Sequence, residues 1–144
     1  MWKEKLIAVL KEDGLTIFIV LALVAAYAVL RTPGDSFATS EALAQRLQNG
    51  QPTVIEFYAN SCSICLISKP KVDRLERDLQ GKAEVLRLNV RDNGPGQSLA
   101  ARWGVQGVPT FFVVDGDGEV AYARAGAPDV AAIQAAVEDL TTLP

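Results

Sequence analysis

The chain has 144 residues, a formal net charge of −3, two cysteines and no histidine. That length suits about one domain. The lack of histidine removes the commonest general base and metal ligand, and with it any Ser-His or Cys-His nucleophile arrangement. The mild acidity leaves no electrostatic footprint for nucleic acid, and two cysteines are too few for a disulfide-stapled miniprotein.

Residues 15–30, LTIFIVLALVAAYAVL, carry no charge. As a helix rising ~1.5 Å per residue they span roughly 24 Å, a little short of a ~30 Å hydrocarbon core. A thin bilayer or flanking residues reaching to the interface make up such a difference. A core helix of a globular domain keeps one polar face, and this segment has none. A cleaved signal peptide is the rival reading, with Ala26-Tyr27-Ala28 as a passable cleavage site. Val29 and Leu30 continue the apolar run past that site, so the segment reads as an uncleaved transmembrane anchor. Lys3, Lys5 and Lys11 precede it and only Arg31 follows before Arg46. This bias places residues 1–14 in the cytoplasm and the rest of the chain outside it. Residues 31–36, RTPGDS, read as a linker, and residues 37–144 as the folded domain.

Residues 40–50 are expected to be a helix, with Leu43 and Leu47 on one face, Thr39 or Ser40 as cap and Gly50 at the end. Residues 52–59, PTVIEFYA, read as a buried strand. A helix is expected over 62–80, kinked at Pro70, which has no N–H to give. Residues 83–90 form a second strand. A turn and a short helix follow, ending near Gly104. Residues 109–114 and 119–126 read as a hairpin joined by DGDG. The last helix covers 128–140, with Pro128 in its first turn. Two strands joined through a helix are parallel with a right-handed crossover. The expected fold is therefore α/β: a mixed sheet of about four strands with helices on both faces.

Cys62 and Cys65 form a Cys-x-x-Cys pair after a strand and at the start of a helix, the redox arrangement. Residues three apart in a first helical turn lie on one side, close enough to form a Cys62–Cys65 disulfide. The helix N-terminus favours a thiolate on the first. Cys62 then attacks a substrate disulfide, and Cys65 attacks the mixed disulfide and releases product. A zinc site needs four ligands, and one chain without histidine or a third cysteine cannot supply a soft one. No metal or other cofactor is expected. Two inert buried thiols are the bland alternative, opposed by the polar Ser61 and Ser63 around them.

From about residue 36 to residue 140 the chain resembles the thioredoxin family. The resemblance rests on VIEFYANSCSIC, on Pro70 five after Cys65, on Arg87 in VLRLNV, on GVPT at 107–110 and on DGEVAYARAGA. It implies a nucleophile at Cys62 and a resolving thiol at Cys65. It also implies a cis peptide bond before Pro109, with the Val108 backbone pairing to an extended substrate. Glu56, six before Cys62, falls where thioredoxins carry a buried acid, which implies a proton acceptor for Cys65. Arg87 falls where many relatives have a lysine near that acid. Two departures stand out. Ser61 replaces the usual tryptophan before the first cysteine, and Ser63-Ile64 replace the usual Gly-Pro between the cysteines. Ser63 and Ile64 are therefore expected to shape redox poise and substrate contact. Trp103 reads as packing.

Behind one N-terminal span, this pattern resembles the membrane-anchored thioredoxin-like proteins of bacteria and thylakoids. Those take electrons through a membrane protein and reduce disulfides on the far side, often in cytochrome maturation. The expectation is thus a membrane-tethered thiol–disulfide oxidoreductase. Its partners are protein disulfides and a membrane electron donor, and it faces a periplasm, a thylakoid lumen or the cell exterior. An oxidase or isomerase of the same fold, and a binding module without turnover, remain alternatives.

Overall fold

The computed structural model describes residues 14–142. Apart from Gly14, the segment read as cytoplasmic lies outside the described residues. The chain divides into two compact units, Met1–Thr32 and Pro33–Pro144. In the first, helix α1 covers Gly14–Leu30, 17 residues that include no charged side chain and bury none of their own. Among the described residues no helix is long and apolar enough to cross a membrane.

The second unit runs α2 (Ser40–Leu47), β1 (Thr53–Tyr58), α3 (Ser63–Asp78), β2 (Glu84–Asn89), α4 (Pro95–Arg102), β3 (Thr110–Val114), β4 (Val120–Ala125) and α5 (Val130–Thr142). The four strands make one sheet in the order β2-β1-β3-β4. β1 and β2 are parallel, while β3 is antiparallel to both β1 and β4.

Side chains alternate across a strand, and this alternation divides the core in two. Ile55, Phe57, Leu86, Leu88, Phe112 and Val114 face α2 and α4, meeting Leu43, Leu47 and Leu99. Trp103 joins this side, with ring centroids 4.9 Å from Phe112 and 6.1 Å from Phe57. It is packing, as expected. Val54, Phe111 and Val113 face the other way, against Val72 and Leu75 of α3, its C-cap Leu79, and Ile133 and Val137 of α5.

The ends of several elements differ from the sequence reading. α2 starts behind Thr39, one of the two expected caps, whose hydroxyl accepts from Ala42 N–H at 3.1 Å. It ends at Leu47 with Gln48 as C-cap, short of Gly50. α5 begins two residues after Pro128, and its cap is Asp129, whose Oδ1 accepts from Ala132 N–H at 3.2 Å. β3 and β4 slip register between Val113 and Val114, the mark of a bulge. Gly34 and Asp35, within the segment read as linker, are fastened to the outer edge of β2. Asp35 N–H donates to Arg87 O and Asp35 Oδ2 accepts from Arg87 N–H, each at 2.8 Å. Gly34 lies so close to the Tyr58 hydroxyl that a side chain there has no room.

Candidate active site: a dithiol, a cis proline and a buried charge cluster

β1 ends at Tyr58, and the chain turns through Ala59 to the N-terminus of α3, where Cys62 N–H donates to Ala59 O at 3.0 Å. Cys62 is the N-cap of α3, so the helix itself begins at Ser63, one residue later than the reading that started it at about Cys62. Its sulfur accepts from Cys65 N–H at 3.1 Å, so it takes up one of the donors a helix leaves orphaned at its start. The Cys62 thiol in turn donates to Val108 O at 3.4 Å. Both cysteines are free thiols here. Cys62 is half-buried and Cys65 buried.

Val108 and Pro109 come from the loop before β3, and their peptide bond is cis. Two bonds hold that loop. Thr110 Oγ1 donates to Gly107 O at 2.7 Å, and Gly126 N–H donates to Pro109 O at 2.8 Å. Gly126 has φ +95°, a left-handed conformation costly for any other residue. Ser63 and Ile64 are exposed beside the nucleophile, and Ile67 follows one turn on, 76% exposed.

Glu56 is buried on β1, 3% exposed, and points to the α3 side of the sheet. Burial pushes its carboxyl up to about 7, against the downward pull of the Arg87 guanidinium. Burial also pushes the Cys65 thiol up to about 12. The neighbouring Cys62 side chain adds to this, and a backbone group of Ala59 opposes it. Glu56 lies near enough to raise Cys65 further by its charge.

Arg87, beside Glu56 in the β1–β2 register, is buried too. Its Nη1 lies 2.7 Å from Asp73 Oδ1 and its Nη2 3.0 Å from Glu76 Oε2, while its Nε stands 3.7 Å from Glu56 Oε2. Lys69 Nζ meets the other Asp73 oxygen at 2.9 Å. Burial works to raise the Asp73 carboxyl, but its bonds to Lys69 and Arg87 prevail and hold it below the usual range. The structure thus assembles Cys62 and Val108, both part-exposed, with the buried Cys65 and Pro109 in one place, and sets Glu56 on the sheet face that α3 covers. The sequence reading missed Asp73, Glu76 and Lys69. A signal for them exists: positions 65, 69, 73 and 76 form one stripe along α3, starting at the buried cysteine. Among the described residues no cluster of His, Cys, Asp and Glu could hold a metal ion.

A dithiol capping a helix, opposed by a cis-proline loop on a mixed sheet, defines a redox class of α/β protein. The thioredoxin family description matches residues 36–139, and the chain belongs to the thioredoxin family. Proteins of that family are thiol–disulfide oxidoreductases, and the cysteine pair is present here. A solved point mutant of a thioredoxin from Halobacterium salinarum superposes with a TM-score of 0.60 at 31% identity, covering 72% of this chain and 87% of that one. The thioredoxin-like protein HCF164, chloroplastic, of Arabidopsis thaliana is 36% identical over 84 residues, 58% of this chain and 32% of its own. The thiol:disulfide interchange protein TxlA homolog of Synechocystis is 37% identical over 76 residues, 53% of this chain and 42% of its own. The chain thus spans about a third to two fifths of the length of these two relatives.

Proposed function

We propose that the protein is a thiol–disulfide oxidoreductase that reduces disulfides of other proteins. One observation carries the reading: the Cys62 sulfur sits between the Cys65 N–H and the carbonyl of Val108 at the cis-proline loop. A substrate strand laid along that loop brings its disulfide to Cys62. The Cys62 thiolate attacks one substrate sulfur, forming a mixed disulfide, and the other substrate sulfur leaves as a thiolate. Cys65 then attacks the Cys62 sulfur. The mixed bond breaks, the second substrate thiolate leaves, and a Cys62–Cys65 disulfide remains.

Cys65 needs help in the second step, because a thiol pushed up to about 12 is almost wholly protonated at neutral pH. Glu56, at about 7, is half ionised there and suited to accept the proton. Ser63 and Ile64 contact substrate beside the nucleophile. The domain reading of residues 37–144 as the catalytic unit fits the family match.

α1 serves as a membrane anchor in this reading. Its support is an uncharged 17-residue helix with no buried side chain, on which Leu15, Phe18, Leu23 and Val24 are each more than half exposed. Leaving that surface in water costs about 25 cal/mol per Å². At ~1.5 Å per residue it reaches roughly 26 Å, so it suits a thin bilayer or a locally thinned one. The lysine bias puts the dithiol outside the cytoplasm, with electrons supplied by a membrane protein. Kinship to a chloroplastic thioredoxin-like protein and to a thiol:disulfide interchange protein fits an extracytoplasmic role such as cytochrome maturation.

The test is equilibration in defined thiol–disulfide buffers. A reductant gives a potential near about −270 mV or lower. A value of about −120 to −180 mV reverses the direction of flow and makes the protein an oxidase or isomerase. Insulin reduction with dithiothreitol, lost in Cys62→Ser, separates turnover from mere binding.

A further inference from the structure

Glu56 shares its cation, and unequally. The two terminal nitrogens of Arg87 bind Asp73 and Glu76 of α3 at 2.7 and 3.0 Å. The edge left for Glu56 is Nε at 3.7 Å, beyond hydrogen-bond range. That Nε is buried and makes no hydrogen bond among the described residues. A guanidinium pairs best with a carboxylate through two parallel N–H bonds, and such a pair holds the carboxylate ionised. Here the fork is turned away from the buried acid and toward the half-exposed ones.

We propose that Asp73, seconded by Glu76, is a positioning residue for the step in which Cys65 resolves the mixed disulfide: it draws the Arg87 guanidinium onto α3 and withholds it from Glu56, which stays free to take up and release a proton. The inference rests on the reading of Glu56 as the acceptor. Asp73 is fixed for the task. Its Oδ1 holds Arg87 while its Oδ2 is held by Lys69 one turn earlier. Arg87 is steadied from the other side, because Asp35 pins its backbone N–H.

The charged groups acting on Glu56 come from two elements, Arg87 on β2 and Asp73 and Lys69 on α3, and Glu56 acts in turn on Cys65 of α3. Phe111 of β3 and the buried Ile133 and Val137 of α5 bring none. The raised Glu56 carboxyl, burial outweighing Arg87, accords with a cation held at arm's length. The charge of Glu76 is not among those that move Glu56 directly, so any influence it has must run through Arg87.

The experiment uses the full chain in detergent, loaded at Cys62 with 5-thio-2-nitrobenzoate. Cys65 attacks the Cys62 sulfur, the proton of Cys65 passes to Glu56, and the coloured thiolate leaves. Its release is followed in single turnovers from pH 5 to pH 9. The wild type is expected to inflect at about 7. Asp73→Asn is expected to lower the inflection by roughly one pH unit, because the freed guanidinium can close from its 3.7 Å contact to a hydrogen-bonded pair with Glu56, and a bonded cation favours the ionised carboxylate. Glu76→Gln moves it the same way by less, and Asp73→Glu restores it. If Asp73→Asn leaves the inflection in place while Glu56→Gln removes it, the positioning role is wrong and the acceptor role stands. A shift in Asp73→Asn with none in Glu76→Gln reduces the effect to simple repulsion and overturns the proposal. An inflection that persists in Glu56→Gln sinks the acceptor reading and this inference with it.

Discussion

Single residues carry the chemistry through their surroundings. Glu56 prefers its neutral form in the folded chain, at about 7 against 4.5 for an ordinary glutamate. Below pH 4.5 the acid is protonated whether folded or not, and burial costs nothing extra. Between pH 4.5 and 7 the folded state binds more protons than the unfolded one, so stability falls as pH rises, by roughly 3 kcal/mol in all. Urea midpoints of the wild type should therefore rise on going from pH 8 to pH 6, and Glu56→Gln should flatten that rise. Asp73, held low by Lys69 and Arg87, works in the opposite sense, contributing stability that is lost as acid protonates it. Its loss belongs below pH 4, outside that window.

Among the elements, the strands and the cysteine helix were legible because their signals are local. β-branched and aromatic runs marked β1 and β3, and GVPT marked the turn into β3. The ends were less so, since a cap is a geometric relation that several nearby residues can satisfy. Pro128 looked like the first turn of α5, yet Asp129 supplies the cap and also binds Arg124 at 2.7 Å. Asp129→Ala is expected to cost about 1 kcal/mol, read as a lowered urea midpoint without loss of insulin reduction. The Arg87 cluster was hidden for a different reason. Residues 73, 76 and 87 meet only because the β1–α3–β2 crossover lays α3 over β2, and no local pattern encodes that. The edge of β2 was hidden likewise. Gly34 and Asp35 looked like free linker, yet Asp35 pairs with it and Gly34 packs against Tyr58. Gly34→Ala should push the chain off Tyr58 and speed amide exchange at Arg87, where Asp35 now protects the N–H.

At the scale of the whole molecule, the proposed anchoring by α1 and the dithiol make one prediction together. The full chain should stay in the membrane pellet through a carbonate wash, and removal of residues 1–32 should free an active domain. A reporter active only in the cytoplasm, fused after Pro144, should be silent. The two-sided sheet has a further consequence. Among the described residues, Glu56, Arg87, Asp73, Glu76 and Lys69 gather on the α3 face, whereas the core between the sheet and α2 and α4 is apolar apart from the buried hydroxyls of Thr53 and Thr110. The sheet is thus an insulating partition. Trimming Leu43 on the apolar side should cost about 2–5 kcal/mol and leave redox poise untouched. Robustness and reactivity can therefore drift, or be engineered, on separate sides of a single layer of backbone.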